Sequence, residues 1–222
     1  MVESSSDASQ AEVLAYAHAI IAEESKIPKV AEDNACERVC HFEMRGSDPT
    51  LVHHLTADIT MDSAKAFFAD FPTNMDKITP DNASFKVIGE VNGRKIAHHK
   101  MKPGVPLVSD RSMIVTYYPI EGEGEFSWMA STKNIDAASY KEHVGKDVIG
   151  TVNCSYFHFK QTDAGMRCTH VSSSSPNGSI PNMVIAKLGK VQQEQLCKVV
   201  EACKWIKCLA LKRGKGYVNC TK

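Results

Sequence analysis

The chain has 222 residues, of which 43% are hydrophobic and 23% charged, and this composition excludes a collagen-like or intrinsically disordered chain. The formal net charge of zero gives no reason to expect bulk attraction to nucleic acid. No apolar run approaches the roughly 18 residues of a membrane-spanning helix, and the N-terminus lacks the apolar core of a signal peptide. We therefore expect a cytoplasmic globular protein with one large domain or two small ones.

The local charge and the cysteines further narrow the class of protein. From Lys187 to the C-terminus nine Lys and Arg residues stand against two Glu, which suits an anionic membrane surface or an acidic partner. The eight cysteines are expected to be reduced and to pack as small hydrophobic side chains. Their spacing matches neither a haem-attachment nor a zinc motif, so we expect no metal and no cofactor.

The N-terminal quarter of the chain predicts a helix followed by two strands. Residues 1–10 are rich in Ser and Asp and are predicted to be disordered. A first helix is predicted over residues 11–24, ended by Pro28, and a first strand over residues 35–45. Residues 51–60 alternate between apolar and polar side chains, which is typical of a half-buried strand.

The middle of the chain predicts two short helices and then a long run of strands. Asp62 is the predicted N-cap of a helix over residues 63–71 that Pro72 ends, and a second short helix runs to Ile78. Asn92-Gly93 is a strong hairpin signal, so neighbouring strands are expected to form one antiparallel sheet. The six predicted strands are residues 84–91, 94–102, 110–119, 125–133, 151–161 and 166–174.

A long amphipathic helix is predicted to follow the strands. Gly178 breaks the last strand, Ser179 can cap a helix, and Pro181 suits its first turn. Lysines fall largely between the apolar positions, which recur at helical spacing: Val184, Leu188, Val191, Leu196, Val199, Cys203 and Ile206. On this pattern alone, a helix packed on a solid core and a helix that closes a cavity both remain open.

Three segments in order resemble START (steroidogenic acute regulatory protein-related lipid transfer) domains. Residues 107–115 resemble the family's Ser-x-Arg-Asp-aromatic-Val strand, residues 74–76 lie where the family has Trp-Asp, and residues 178–185 look like its Gly-x-Ile-Pro-x-Trp segment. The resemblance covers residues 35–206. It implies an α+β helix-grip (START/Bet v 1-like) fold, in which a curved antiparallel sheet wraps around the long C-terminal helix and encloses a hydrophobic cavity.

The resemblance also implies a domain layout and a function. We expect a single START-like domain over residues 11–208 and a basic C-terminal tail over residues 209–222. The expected function is to bind a single lipid and carry it through the cytosol between membranes, as a monomer that docks transiently on anionic membranes and binds no nucleic acid. The alternative is a ligand-gated regulatory module for a small hydrophobic molecule. An enzyme on the same scaffold is less favoured, because no nucleophile elbow, phosphate loop or metalloprotease motif is present.

The sequence departs from the family's motifs at the positions that recognise ligands. Ser112 replaces the family's Asp, and the acid–Arg pair of sterol-transferring members is missing, because its positions fall near His98 and at Tyr117. An aromatic residue of the choline cage falls near His99. A phospholipid, a sterol and a fatty acid all remain possible ligands.

A lipid cavity needs apolar walls and a few amphipathic groups that can each offer a hydrogen bond. Neighbouring residues on a strand face opposite sides, so one of His98 and His99 should point inward. Arg111 has two readings, a contact to lipid phosphate or carboxylate and a structural ion pair with Asp76 or Glu90, and the resemblance favours the second. The predicted lipid-binding residues are His98, His99, Arg111, Tyr117, Trp128, Tyr156, His158, Met183, Val184 and Leu188. Ordinary core packing or solvent exposure is the alternative for each His, for Tyr117 and for Trp128. The predicted membrane-contacting residues are Lys187, Lys190 and Arg213.

Overall fold

Seven stretches of the chain are described by the computed structural model. They are residues 5–23, 29–33, 38–45, 48–79, 83–104, 106–178 and 194–206, with side chains for residues 9–23 and for those from residue 50 onwards. Within these residues, no helix is both long enough and apolar enough to span a membrane.

The described part of the chain contains five α-helices and ten strands. The helices are α1 Ser5–Ala22, α2 Met61–Ala69, α3 Phe71–Ile78, α4 Lys141–Val144 and α5, residues 194–206, and a 3₁₀ turn, Ala137–Tyr140, precedes α4. The strands are β1 Lys29–Asp33, β2 Arg38–Arg45, β3 Asp48–Ala57, β4 Ala83–Val91, β5 Arg94–Met101, β6 Arg111–Gly122, β7 Glu125–Ser131, β8 Val148–Ile149, β9 Thr151–Thr162 and β10 Gly165–Ser175.

All ten strands form one sheet in the order β1-β2-β3-β10-β9-β7-β6-β5-β4, and β8 pairs in parallel with the start of β6. Every other pairing is antiparallel. The hairpins follow from local turn chemistry: Asn92 and Gly93 both have positive φ, 53° and 73°, as a two-residue turn between β4 and β5 requires. The long connection from β3 to β4, through α2 and α3, crosses the sheet, and the later strands return step by step until β10 lies beside β3.

The two faces of the sheet are covered by different helices. On the outer face, α1 buries Val13, Ala17 and Ile20 against side chains of β3, β6, β7, β9 and β10. On the inner face, α2, α3 and α5 pack against alternate residues of the same strands. The α5 residues in this inner core are Leu196, Val199, Val200 and Cys203. A sheet that holds the last helix against its inner face is the helix-grip architecture, so the predicted fold class is confirmed.

Helix α2 begins two residues earlier than the sequence predicts, because its cap is Thr60. The Thr60 hydroxyl accepts a hydrogen bond from the Ser63 N–H at 3.1 Å, and the Ser63 hydroxyl accepts one from the Thr60 N–H at 3.2 Å. This reciprocal pair satisfies two backbone donors at the helix start. The prediction of Asp62 as the cap is therefore wrong, and Pro72 lies in the first turn of α3 instead of simply ending α2.

Five further elements differ from the sequence prediction, and two of them, α4 and the 3₁₀ turn before it, were not predicted. Helix α1 begins at Ser5, and Ser9 is buried, so predicted disorder through residue 10 extends too far into the chain. Strand β1 was not predicted, and neither was β8. Both are short, five and two residues, and a segment of that length carries little hydrophobic periodicity of its own.

Candidate functional site

Aromatic rings fill the inner face beneath α2 and α3. The Phe71 ring centroid lies 4.0 Å from that of Trp128, and the Phe68 centroid lies 5.1 Å from Trp128 and 5.2 Å from Phe157. All four side chains are at most 5% exposed. Because aromatic side chains bury large areas, this cluster forms a packed core at one part of the inner face. Trp128 belongs to that core, and its predicted contact with lipid stays a prediction.

His99 and Tyr117 form a neutral polar pair beside the aromatic cluster. A 2.7 Å hydrogen bond joins His99 Nε2 to the Tyr117 hydroxyl, and the His99 ring meets Phe85 edge to face at 4.6 Å. Burial lowers the pKa of His99 to about 3, with a smaller contribution from His98, and burial raises the pKa of Tyr117. Both groups are therefore neutral at pH 7. His99 keeps part of its surface accessible, so the pair remains available to a ligand.

Short side chains occupy the middle of the inner face. Ser172 pairs with Ser155 across β10 and β9, and Ser155 pairs with Ala130 across β9 and β7. Ser155 keeps accessible surface although strands flank it on both sides and α1 packs on the opposite face. Its accessible surface therefore opens towards the inner side. These short side chains leave room there that longer ones would fill.

His170 is a deeply buried polar group on this face. Its ring stacks on Phe157 with centroids 4.0 Å apart, it faces the His53 ring at 6.1 Å, and it is 1% exposed. Among the described residues, neither ring nitrogen of His170 has a hydrogen-bond partner. Burial, and next the neighbouring His53, lowers its pKa well below the usual value, so the ring is uncharged at pH 7.

Arg111 lies at the start of β6 and holds two loops together. Its guanidinium donates hydrogen bonds to the backbone carbonyls of Ser109, Pro176 (3.3 Å) and Asn177 (3.4 Å). It is 2% exposed, and burial lowers its pKa, although Asp110 opposes this. The predicted acidic partner is wrong: Asp76 accepts a hydrogen bond from the Phe85 N–H instead, at 2.8 Å. The contacts of Arg111 favour a structural role, in which backbone carbonyl oxygens take the place of the predicted carboxylate.

His98 points to the outer face, into a network with Ser112 and Asp147. The Ser112 hydroxyl donates to Asp147 at 2.6 Å, His98 Nε2 lies 2.8 Å from the same hydroxyl, and Lys100 reaches Asp147 at 2.9 Å. Burial lowers the pKa of His98. A serine nucleophile gives its proton to the histidine, whereas here the Ser112 proton is directed to Asp147. This trio therefore lacks the geometry of a catalytic triad.

The structure separates the predicted lipid-binding residues into groups. His99, Tyr117, Trp128 and Arg111 lie on the inner side of the sheet. Tyr156 and His158 were predicted to face the ligand, and this is wrong, because their side chains lie on the outer face. The Tyr156 hydroxyl contacts Ser127 at 3.0 Å beneath α1, and His158 contacts Glu125 at 3.3 Å.

Several predicted residues lie outside the described part of the chain. These are Met183, Val184 and Leu188 of the predicted lipid site, and Lys187, Lys190 and Arg213 of the predicted membrane surface. Their roles stay predictions.

The sequence prediction missed His170 and Ser155. A signal for both was present in the turn Asp163-Ala164-Gly165, which sets the register of the β9–β10 hairpin. That register pairs His170 with Phe157 and Ser172 with Ser155. Directly paired residues share a face, so a known face for Phe157 would have assigned the others.

Solved structures of similar architecture identify the fold. No family model matches the sequence, and no curated protein matches it significantly. The human StAR-related lipid transfer protein 5 superposes with a TM-score of 0.65 at 11% identity, covering 89% of this chain and 99% of that one. Human STARD10 superposes with a TM-score of 0.63 at 12% identity, covering 85% of this chain and 76% of that one. The lipid transfer and protein localization domain of human StarD13 superposes with a TM-score of 0.60 at 13% identity, covering 85% of this chain and 95% of that one. The chain has a helix-grip fold, and more closely that of START domains, which confirms the predicted resemblance at the level of the fold.

Proposed function

We propose that this protein binds a single lipid against the inner face of its sheet and carries it between membranes through the cytosol. The observation that carries the proposal is the accessible surface of Ser155. This short side chain has a paired strand on each side, and α1 packs on the opposite face of the sheet. Accessible surface at such a position requires space in front of it. The fold adds support, because similar structures include the human StAR-related lipid transfer protein 5 and the lipid transfer and protein localization domain of human StarD13.

The chemistry of the inner face suits a lipid better than a charged metabolite. The side chains around Ser155 are hydroxyls, small apolar groups and aromatic rings. Arg111 directs its N–H groups to carbonyl oxygens, and the two neutral groups His99 and Tyr117 bond to one another. Such a wall offers few polar groups in mostly apolar surroundings, as small-molecule sites do. We assign lipid binding to this face, and no catalytic role.

We infer a monomer in the cytoplasm that meets membranes transiently, with Lys187, Lys190 and Arg213 near anionic headgroups. The support is the concentration of basic residues after Lys187. The proposed ligand is a phospholipid, sterol or fatty acid.

The first experiment asks whether lipid occupies this space. Gently purified protein is examined by native mass spectrometry, alongside Ser155→Phe and its matched control Ser155→Ala. We expect one lipid per chain in the parent, at most a small loss of occupancy in Ser155→Ala, and at least a tenfold lower occupancy in Ser155→Phe, because a phenyl ring fills the space while Ala keeps it open and removes a single hydroxyl. Equal occupancy in all three proteins would place the ligand elsewhere, and no lipid in any of them would overturn the proposal.

A second experiment separates a carrier from a ligand-gated regulator. Donor vesicles containing a fluorescent lipid of the class found by mass spectrometry are mixed with acceptor vesicles and catalytic amounts of protein. A carrier accelerates transfer in proportion to protein concentration. A protein that holds lipid without accelerating its transfer would instead be the regulatory module.

A further inference from the structure

We propose that His170, together with the Ser172 and Ser155 hydroxyls beside it, recognises an uncharged polar group of the bound lipid that both donates and accepts a hydrogen bond, such as a hydroxyl. This inference rests on the proposed lipid binding and adds the place and chemistry of recognition. We refer to these three residues as the His170 subsite.

The placement of the three residues comes from the register of the sheet. Ser172 lies two residues from His170 on β10, so both side chains are on the same face. Ser155 pairs directly with Ser172, and Phe157, which pairs with His170, belongs to the inner core. The imidazole and both hydroxyls therefore lie on one patch of the inner face. Ser155 is the residue of this patch that keeps accessible surface.

The unmet hydrogen-bonding capacity of His170 points to a ligand. Buried polar atoms in native proteins are nearly always paired, and an exception needs an explanation. Within the described residues both nitrogens of this 1% exposed ring have no hydrogen-bond partner. His99, another inward histidine, already has Tyr117 as its partner at 2.7 Å. Of these two imidazoles, His170 is the one whose partner is still to be supplied.

The chemistry of the subsite selects the ligand group. A neutral imidazole has one N–H donor and one bare nitrogen acceptor, so a hydroxyl can satisfy it in either direction. The inner-facing side chains on the surrounding strands, from Leu51 to Ala57, Ser155 to Phe159 and Met166 to Ser174, include no Lys, Arg, Asp or Glu. A phosphate would lie there without a countercharge, and a trimethylammonium group has no N–H to donate. Both are disfavoured against an uncharged hydroxyl.

The His170 subsite and the His99–Tyr117 pair are too far apart to contact one small group of the ligand. His170 on β10 and His99 on β5 are separated by four strand spacings, or roughly 19 Å along the sheet. A ligand hydroxyl at His170 therefore leaves the His99–Tyr117 pair to contact another part of the molecule. The inference thus also sets the direction of the lipid: its polar group lies towards β3 and β10.

The test uses lipid pairs that differ only in the hydroxyl. Lipid-depleted protein is equilibrated with dioleoylphosphatidylcholine vesicles that carry cholesterol, 1,2-dioleoylglycerol or N-oleoylsphingosine, each compared with the methyl ether of its hydroxyl. Native mass spectrometry counts the bound probe. For at least one pair we expect the parent to prefer the hydroxyl by tenfold or more. His170→Phe keeps the stack on Phe157 and removes both nitrogens, so its preference should fall below about threefold.

His158→Phe is the matched control, because it makes the same change on the outer face of the neighbouring strand and should keep the full preference. A parent that binds hydroxyl and ether equally, or a His170→Phe protein that still discriminates, overturns the inference while lipid binding stands. A parent that binds no lipid of either kind overturns the proposed function and the inference together.

A measurement on the parent covers the case in which His170→Phe fails to fold. In ¹⁵N-histidine-labelled protein, the His170 ring is identified by its contact with the Phe157 ring, which lies 4.0 Å away. Adding the preferred hydroxyl lipid should shift both ring nitrogens, and the methyl ether should leave at least the nitrogen that accepts a hydrogen bond unchanged. Identical spectra with and without the hydroxyl lipid contradict the proposal.

Discussion

A buried guanidinium needs acceptors for its N–H groups, and Arg111 takes them from backbone carbonyls before β6 and after β10. Arg111→Ala leaves these carbonyls without their charged donor. We expect the free energy of unfolding to fall by roughly 2–4 kcal/mol, since hydrogen bonds to charged groups contribute about 1.5–3 kcal/mol. The measurement is urea unfolding, with lipid occupancy of the folded variant followed by native mass spectrometry.

Arg111→Lys is the control for this prediction. It keeps the charge but loses the planar fork that reaches several carbonyls at once, so its stability should lie between those of the parent and the Ala variant. Lipid occupancy should stay near that of the parent in both. A variant that unfolds like the parent but has lost its lipid would make Arg111 a ligand contact.

The neutral state of His99 predicts a pH dependence of stability. Its pKa is about 3 in the folded protein against 6.5 for an ordinary histidine, so below pH 6.5 the unfolded chain binds a proton that the folded protein does not. The stability that the neutral His99 ring contributes is complete above pH 6.5 and is lost as pH falls towards 3. Between pH 7.5 and 4.5 the parent should lose roughly 2.7 kcal/mol through His99 alone.

Comparison with His99→Gln isolates this effect from that of other titrating groups. Urea unfolding of both proteins at pH 7.5, 6.5, 5.5 and 4.5 should show the stability difference changing in favour of the variant as pH falls, because Gln does not titrate. Parallel pH profiles would mean that His99 is protonated in the folded state.

At the scale of the helices, the Thr60–Ser63 cap predicts a specific loss on mutation. Thr60→Ala removes an acceptor for a backbone N–H of α2, the helix that brings Phe67 and Phe68 to the inner core. An N-cap Thr contributes about 1 kcal/mol, or roughly 2–4 °C in Tm for a chain of this size. Thr60→Asp should retain most of the stability, because Asp also caps.

Asp62→Ala tests the alternative cap that the sequence suggested. Asp62 is an acidic residue in the first turn, where it stabilises the helix dipole by a smaller amount. Thermal unfolding should therefore rank the Thr60→Ala variant below the Asp62→Ala variant. The reverse order would restore Asp62 as the cap.

The elements that could be predicted are those whose signals are local. The β4–β5 hairpin follows from Asn92-Gly93, and its strands lie within one residue of the predicted bounds. Strand β8 forms only because two residues meet β6, with Val148 opposite Arg111 and Ile149 opposite Ser112, and a local pattern holds no information about so distant a contact. Strand β1 pairs with β2, its neighbour in sequence, but its five residues are too few to show a clear period.

At the scale of the whole molecule, the inward residues could be predicted only in part, because both faces of the central strands are covered. Tyr156 packs under α1 while Phe157 packs in the inner core, so buried side chains occur at consecutive positions of β9. A half-buried strand would show alternation that identifies its inner face, and this strand does not. The prediction therefore chose Tyr156 and His158 in place of Phe157 and Ser155. On β5 the prediction was correct that one of His98 and His99 points inward.

Exchange of lipid with a membrane is the last property that the whole chain predicts. The nine Lys and Arg residues from Lys187 onwards stand against two Glu, and each cation near an anionic bilayer contributes on the order of 1 kcal/mol. Three or four such contacts give appreciable yet reversible docking on the membrane, as a lipid carrier requires. We expect transfer to be faster with anionic than with neutral vesicles. Raising the salt from about 0.05 M to about 0.5 M should slow it, because the screening length falls to a few ångströms.

A charge-reversal variant tests this docking directly. Changing Lys187, Lys190 and Arg213 to Glu should lower the transfer rate with anionic vesicles at least about tenfold at low salt, because it turns roughly 3 kcal/mol of attraction into repulsion. Bound lipid per chain should not change. The matched control reverses three exposed lysines elsewhere, Lys141, Lys146 and Lys160, and alters net charge equally. If both triple variants slow transfer alike, overall charge governs the encounter. If neither variant nor salt changes the rate, the basic residues are a solvated helix face and exchange proceeds without electrostatic docking.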